Sequence, residues 1–220
     1  MNQILYNKDD YKSNINYNLN SEIVDKEHNK SFFKFQFIAS SLLVVFVITG
    51  YFLYSYNRNK KENISKMLID NYSISRLYNN EQPITTYEES GTMFSVIGII
   101  EIPKINISYP ILSESNDELL KIAPCRISGP MPNEDGNLCI AGHNYDNYKF
   151  FSKISSLENG DEIIIYDLYN NKLSYYVFNN YEVLENNLSP LETSDNNSKQ
   201  ITLITCNNLN SNRIIIEAKP

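Results

Sequence analysis

The chain contains few side chains that could carry nucleophilic or acid–base chemistry. It has three cysteines, Cys125, Cys139 and Cys206, and two histidines, His28 and His143. A thiolate attacks carbonyl carbon atoms, and a neighbouring imidazole can supply or remove the proton that such a reaction requires. Three cysteines are too few, and odd in number, for a disulfide framework, so we expect at least one free thiol.

Cys206 has the surroundings that best suit a nucleophile. It ends the β-branched run Thr-Leu-Ile-Thr-Cys (202–206) and stands directly before an Asn-rich loop, and Arg213 opens the last predicted strand seven positions later. If the two strands pair as a hairpin, the thiol and a permanent cation face each other across its mouth. The guanidinium could then hold a developing oxyanion with its fork of donors.

His143 is the candidate general acid and base. It follows an apolar run and a glycine in Leu-Cys-Ile-Ala-Gly-His-Asn (138–144), which places it at a strand end facing a loop. His28 lies far upstream, before a long apolar segment. Together, Cys206, His143 and Arg213 predict a site for acyl transfer through a thiol.

Each of these residues also has a structural explanation. A cysteine in a strand is more often a buried small hydrophobe than a nucleophile, and we interpret Cys139 in this way. Cys125 lies in an Ala-Pro-Cys-Arg-Ile run that faintly resembles the nucleophile motif of L,D-transpeptidases, but it lacks the preceding Ser and Gly. His143 could be a hydrogen-bonded strand-end residue, and Arg213 a surface charge beside an edge strand.

The elements that must position these residues lie in the C-terminal part of the chain. Short β-branched runs separated by turn residues predict about seven strands within about 130 residues, which is typical of a closed barrel or sandwich. Residues 116–122 predict a short helix with an Asn cap, and residues 150–154 another turn of helix. The predicted strands are 94–102, 105–112, 138–141, 162–168, 173–185, 200–205 and 213–218.

The N-terminal part predicts one membrane-spanning helix. Residues 37–56 carry no charge, and twenty residues at a rise of about 1.5 Å span a hydrocarbon core of about 30 Å. Bulky residues follow the apolar segment where a cleavage site would need small ones, so we expect an uncleaved anchor. The domains predicted are a disordered cytoplasmic tail (1–34), a transmembrane anchor (35–57), a juxtamembrane stalk or helix (58–90) and the β domain (91–220).

Charge excludes one class of partner and leaves the membrane orientation open. The formal net charge is −7 and the sequence pI about 4.9, so we expect no nucleic acid partner. Basic residues flank the apolar segment on both sides, and the positive-inside rule therefore does not decide which side the β domain occupies.

The ordered motifs resemble the sortase family from about residue 95 to the C-terminus. They are a strand followed by Gly-His-Asn (142–144), then Phe-x-x-x-x-x-Leu-x-x-Gly-Asp (151–161), Thr-Leu-Ile-Thr-Cys (202–206) and Arg-Ile-Ile-Ile (213–216). The resemblance implies a closed eight-stranded β-barrel with short helices, on the surface of a Gram-positive bacterium. It implies that Cys206 is the nucleophile, His143 the general acid/base and Arg213 the oxyanion stabiliser, with Thr205 contacting substrate.

The resemblance also implies partners and a location. A sortase cleaves a Leu-Pro-x-Thr-Gly-like sorting signal through a thioacyl intermediate and transfers the protein to an amine of the cell wall. The enzyme would be a single-pass membrane protein, with a cytoplasmic N-terminus and an extracellular catalytic domain. No cofactor and no metal are expected.

The segments between the motifs bear on the sortase class. The short connection at residues 186–199 lacks the helical insertion expected of class B, and no Asp-Pro-aromatic lid typical of class C precedes the barrel, so a class A or D enzyme is favoured. One alternative is a cysteine peptidase that hydrolyses the thioacyl enzyme. Another is a non-catalytic surface β-domain.

Overall fold

Apart from one long helix, the chain is mainly β. A computed structural model describes residues 8–77, 86–89, 91–145, 149–192 and 198–220. Within these residues the helices are α1 (Lys8–Leu77) and α2 (Asp117–Leu120), with 3₁₀ turns at Pro103–Ile105, Ile154–Ser156 and Ser189–Leu191. The strands are β1 (Thr86–Glu89), β2 (Thr92–Ile102), β3 (Ile107–Leu112), β4 (Cys125–Ser128), β5 (Gly136–Ala141), β6 (Glu162–Asp167), β7 (Lys172–Leu184), β8 (Lys199–Cys206) and β9 (Asn212–Lys219).

Eight of these strands close into a barrel. Their order is β2-β3-β4-β5-β8-β9-β7-β6, and β6 pairs with β2 to complete the ring. β1 is a ninth strand that adds to β2 through antiparallel pairing. The predicted closed eight-stranded barrel is therefore confirmed, and closure leaves only the short β1 as an added edge.

Two strands escaped the sequence-based prediction. β1 has the sequence Thr-Tyr-Glu-Glu, with alternating exposed and half-buried positions. β4 is four residues long, follows a proline, and pairs in parallel with β3 through a single pair of residues. Neither run is long or apolar enough to show the periodicity that identifies a strand.

The barrel is filled by β-branched side chains that alternate along its strands. Buried side chains from the strands pack together with residues of the 151–157 turn region. This packing explains why the β-branched runs of the sequence became strands, since branched side chains fit a pleated surface that is buried on one face. The largest fully buried side chains of this core are Tyr175, Phe151, Ile100, Ile102, Ile111, Leu138, Ile140 and Ile154.

The pairing of β5 with β8 is parallel and free of bulges. It runs in constant register from Gly136 opposite Lys199 to Ala141 opposite Ile204. A buried side-chain bond reinforces it, because the Thr202 hydroxyl donates to Asn137 Oδ1 at 2.8 Å. β9 then covers the other edge of β8 in antiparallel register. β8 is thus hydrogen-bonded along both edges, which fixes the position of the residues at its C-terminal end along the strand direction.

The short helices agree broadly with the sequence. The Asn116 side chain accepts hydrogen bonds from the backbone N–H groups of Glu118 and Leu119, so it caps α2 as predicted. The turn of helix predicted at residues 150–154 begins later, as the 3₁₀ turn at Ile154–Ser156. Phe150 has a left-handed backbone (φ 52°), which is incompatible with a helix starting there.

The chain divides into two compact units after Arg58. In the first, α1 provides a candidate membrane span within Phe32–Asn71, by length and composition, and the most apolar part of that span is fully exposed. The helix begins at Lys8, so the structure differs from the predicted disorder over residues 8–34. A helix nucleated in the apolar segment extends readily, because each added residue forms one more backbone bond.

The second unit, residues 59–220, is called the barrel domain below. The last turns of α1 belong to it, because Leu68 is fully buried and packs with Phe94, Val96, Leu119 and other residues of a second apolar cluster. Ion pairs support the contact: Lys61 with Glu118, Glu62 with Lys149, and Lys60 with Glu89. Part of the segment predicted to be a stalk is thus an integral part of the folded domain.

We predict that Leu68→Ala destabilises the barrel domain by about 2 to 5 kcal/mol, because it removes a fully buried side chain and leaves a cavity. Urea unfolding of a fragment starting at Asn59 measures this loss. Met67→Ala is the matched control: its side chain is 45% exposed, so the free energy of unfolding should change by only about 0.5 kcal/mol. Equal losses in the two variants would contradict the packing of α1 on the barrel.

Candidate active site

Cys206 is the only exposed cysteine of the three. It is the last residue of β8 and is not engaged in a disulfide. The strand ends there because the polar loop 207–212 follows, closed by a backbone bond from Asn207 N–H to Asn212 O at 2.9 Å. The thiol therefore stands at the rim of the barrel, where a substrate carbonyl can reach it.

The other two thiols are buried and unreactive. Burial raises the pKa of Cys125 to about 12, and burial also raises the pKa of Cys139. The Cys139 thiol faces the carbonyl oxygens of Asn137 and Pro190 at 3.7 and 3.9 Å. Because the thiolate is the attacking species, neither residue suits a nucleophile. This agrees with the structural interpretation of Cys139 and excludes Cys125 as a second candidate.

His143 lies level with Cys206 on the neighbouring strand end. β5 pairs with β8 at a constant offset, and the ladder continues past β5 with a bond from Gly142 N–H to Ile204 O at 3.0 Å. Extending that register by two positions, from Ala141 opposite Ile204, places the backbone of His143 opposite that of Cys206. The backbone carbonyl of His143 is held in turn by Phe151 N–H at 3.0 Å.

The imidazole of His143 is half-buried beneath an aromatic side chain. Its ring centroid lies 4.8 Å from that of Tyr145, which packs in turn against Phe150. Within the described residues, Nε2 has no hydrogen-bond partner. Burial lowers the pKa of His143 below 6.5; the nearby Lys121 cation adds to this effect, and Asp117 opposes it. A neutral imidazole can accept a proton and later return it.

Arg213 stands directly across the hairpin from Cys206. The two residues are partners in the antiparallel β8–β9 ladder, so their side chains project from the same face. The predicted hairpin is therefore confirmed. The Arg213 guanidinium forms an ion pair with Glu185, with Nη2 and Oε1 2.6 Å apart. That contact engages one nitrogen of the guanidinium.

Thr205, the residue before Cys206, is buried in the structure. Its side chain is 3% exposed, and its hydroxyl donates to Gly142 O at 2.6 Å. Thr205 thus fastens the strand end that precedes His143 to the one that ends in Cys206. Its predicted contact with the substrate stays a prediction.

Sequence reasoning missed three residues that shape this site. The Asn144 side-chain amide donates to Cys206 O at 2.8 Å, and Glu185 holds Arg213. Gly142 is required because a Cβ there would lie 2.7 Å from the ring of Phe151. Only the Gly-His-Asn order (142–144) offered a signal. Glu185 lies 28 residues before Arg213 and belongs to no motif, so nothing in the sequence indicated their contact.

The described residues include no cluster of three or more His, Cys, Asp or Glu side chains that could hold a metal ion.

Comparisons with known proteins bear on the same region. The family model described as the sortase domain matches residues 100–220. Sortase A of Bacillus anthracis is 34% identical over 124 residues, which are 55% of this chain and 58% of that protein. The chain thus spans a little over half the length of that relative.

Solved structures agree in fold. A sortase D5 transpeptidase from Clostridium perfringens has a TM-score of 0.56 at 24% identity, covering 73% of this chain and 98% of that one. A Clostridium perfringens sortase C, solved with the C-terminal cell wall sorting motif, has a TM-score of 0.52 at 25% identity, covering 76% and 94%.

We predict that Lys121→Gln raises the pKa of His143, because it removes a cation that opposes protonation of the imidazole. NMR titration of the barrel domain measures this directly, since His143 is its only histidine. Because the wild-type pKa lies below 6.5, the change also moves the acid limb of the pH–rate profile to higher pH. Lys104→Gln is the control, since that ammonium pairs with Glu158 and Asp161 instead. An unmoved or lowered His143 pKa in Lys121→Gln would contradict the assignment.

Proposed function

The chain belongs to the sortase family, whose domain matches residues 100–220, and from this premise we propose that it is a membrane-anchored cysteine transpeptidase. In this proposal it cleaves a Leu-Pro-x-Thr-Gly-like sorting signal and transfers the protein that carries the signal to an amine of the cell wall. The observation that carries the proposal is the placement of three residues at neighbouring strand ends. Cys206 is exposed and has Arg213 as its partner on β9, and the β5–β8 register, extended by two positions, places His143 beside it.

The first half-reaction forms the thioacyl enzyme. The Cys206 sulfur, as thiolate, attacks the threonine carbonyl carbon of the signal, and a carbon–sulfur bond forms. Negative charge develops on the carbonyl oxygen, and Arg213 stabilises it with charged N–H donors. The carbon–nitrogen bond then breaks as protonated His143 gives its proton to the leaving amine. The products are a thioester on Cys206 and a free N-terminus on the released fragment.

The second half-reaction returns the enzyme to its starting state. An acceptor amine approaches the thioester carbonyl, and neutral His143 removes its proton as the new carbon–nitrogen bond forms. The tetrahedral intermediate collapses with rupture of the carbon–sulfur bond, which restores the thiolate. The lowered pKa of His143 supports this step, because it keeps the base form populated near neutral pH.

The substrate class follows from the family and from one neighbour. The Clostridium perfringens sortase C was solved with a C-terminal cell wall sorting motif. We propose a motif of the same kind here, read from a secreted surface protein of a Gram-positive bacterium, with a cell-wall precursor as the acceptor. The assignment of the enzyme to sortase class A or D stays a prediction.

The candidate span supports a location for the reaction. Because sorting signals and cell-wall amines are found outside the cell, the proposal places the N-terminus in the cytoplasm and the barrel domain outside. Protease added to intact cells should then degrade residues 91–220. Protection of the barrel domain until the cells are lysed would exclude this orientation and sorting with it.

We predict that Cys206→Ala and His143→Ala abolish cleavage of a fluorogenic Leu-Pro-x-Thr-Gly-type peptide, because each removes a group that forms or breaks a bond. Arg213→Lys should lose most of the activity, since an ammonium lacks the planar fork that matches an oxyanion. Steady-state kinetics of the barrel domain, with a fragment starting at Asn59, measures these losses. Cys139→Ala is the control and should retain activity. Near-normal rates in Cys206→Ala would leave the non-catalytic β-domain as the better explanation.

A separate experiment distinguishes transfer from hydrolysis. With an added amine such as triglycine, mass spectrometry should detect the acyl fragment joined to that amine, because an amine competes with water for the thioester. Product yield should rise with amine concentration. A product that is only the free acid, at every amine concentration, would identify a hydrolytic cysteine peptidase instead.

A further inference from the structure

The backbone ladder between β5 and β8 stops just before it reaches the thiol. Its last bond joins Gly142 N–H to Ile204 O at 3.0 Å. In a parallel pair, alternate carbonyls of a strand face the same neighbour, so the next carbonyl of β8 to face this edge is that of Cys206. A continued strand would satisfy it with the backbone N–H of Asn144.

The chain does not continue as a strand. Asn144 forms an isolated antiparallel bridge with Phe150, and Phe151 N–H donates to His143 O at 3.0 Å, so the backbone has turned into a separate loop. Phe150 accommodates this turn with a left-handed backbone at φ 52°. The carbonyl of Cys206 thus loses the ladder partner that regular pairing would have supplied.

The side chain of Asn144 takes over that role. Its Nδ2 donates to Cys206 O at 2.8 Å, the length of a good hydrogen bond. Only the amide nitrogen of an asparagine can donate to a carbonyl oxygen, so the chemistry fixes which way the amide points. The N–H of the same peptide group, that of Asn207, points to the opposite strand edge and donates to Asn212 O at 2.9 Å. The peptide that follows the thiol is therefore held from both sides.

We propose that Asn144 is a positioning residue that replaces the missing ladder bond and holds the Cys206 peptide in register with His143. It acts through the backbone and does not contact the substrate. Because Asn144 directly follows His143, one side-chain bond links the segment carrying the imidazole to the residue carrying the thiol. The catalytic part of this inference rests on the proposed function, whereas its geometric part does not.

Substitution of Asn144 is expected to lower kcat and to leave KM nearly unchanged. Loss of the bond lets the thiol drift from the imidazole, and small misplacements of reacting groups reduce rates by about tenfold to a hundredfold. In Asn144→Ala, kcat should therefore fall by about tenfold to a hundredfold while KM stays within about twofold. Asn144→Asp should lose as much, because it keeps the shape of the side chain but presents a carboxylate that cannot donate.

A matched control exists elsewhere in the barrel. The Asn180 amide also donates to backbone carbonyls, those of Ser155 and Leu157 at 3.1 and 2.7 Å, and it is not part of the site. Asn180→Ala removes the same kind of bond and should leave kcat unchanged. Its thermal midpoint reports what the loss of such a bond costs in stability alone.

The test measures kinetics and hydrogen exchange on the full-length protein in detergent micelles. The amide of Asn207 shares its peptide group with the Cys206 carbonyl. Its exchange with deuterium, followed by mass spectrometry, should accelerate about tenfold in both Asn144 variants and not in Asn180→Ala. Faster exchange together with the selective fall in kcat is the result expected.

Two outcomes would overturn the proposal: unchanged exchange at Asn207, or faster exchange with a wild-type kcat. Should Asn144→Ala fail to fold, Asn144→Asp carries the same comparison. If the wild-type enzyme cleaves no peptide of the sorting-signal type, the proposed function fails. Exchange at Asn207 then decides by itself whether Asn144 holds the Cys206 peptide.

Discussion

The parallel pairing of β5 with β8 is the interaction on which the site depends. Two strands far apart in sequence run side by side with one unbroken register; β8 ends at Cys206, and His143 follows two residues after the end of β5. A slip of one position would turn every side chain of one strand to the other face, burying the thiol or the imidazole in place of an isoleucine. The buried bonds from Thr202 to Asn137 and from Thr205 to Gly142 resist such a slip, because each would be lost inside the barrel.

Closure of the barrel extends this constraint to the arginine. β9 pairs with β8 on one edge and with β7 on the other, so Arg213 is held opposite Cys206 while Glu185, just beyond β7, reaches its guanidinium. The site is built at strand ends, where the ladder gives way to loops. Rigid strands set the heights of the reactive residues, and side chains such as Asn144 replace the backbone bonds that the loops interrupt.

Much of this arrangement could be predicted from the sequence, and the reasons for the failures are physical. Long β-branched runs identified most strands, and the order of motifs predicted the closed barrel, which is confirmed. The same motifs singled out Cys206, His143 and Arg213, whose roles stay predictions. β1 and β4 were missed because a strand of four residues is too short to show a periodic pattern and is formed by pairing with its neighbours. The bond from the Thr205 hydroxyl to Gly142 O could not be predicted, since adjacency to Cys206 says nothing about the face on which a side chain lies. Contacts such as that of Glu185 with Arg213 exist only after the barrel has closed.

The unequal burial of the three thiols has a practical consequence. Cys125 and Cys139 are fully enclosed, and Cys206 alone is open to solvent. The folded chain therefore presents a single reactive thiol. A small electrophile would label one sulfur per molecule, and the amount of label bound would measure the number of active sites in a preparation. Unfolding would raise the count to three, so the same reagent would also report the fraction of molecules that have lost their structure.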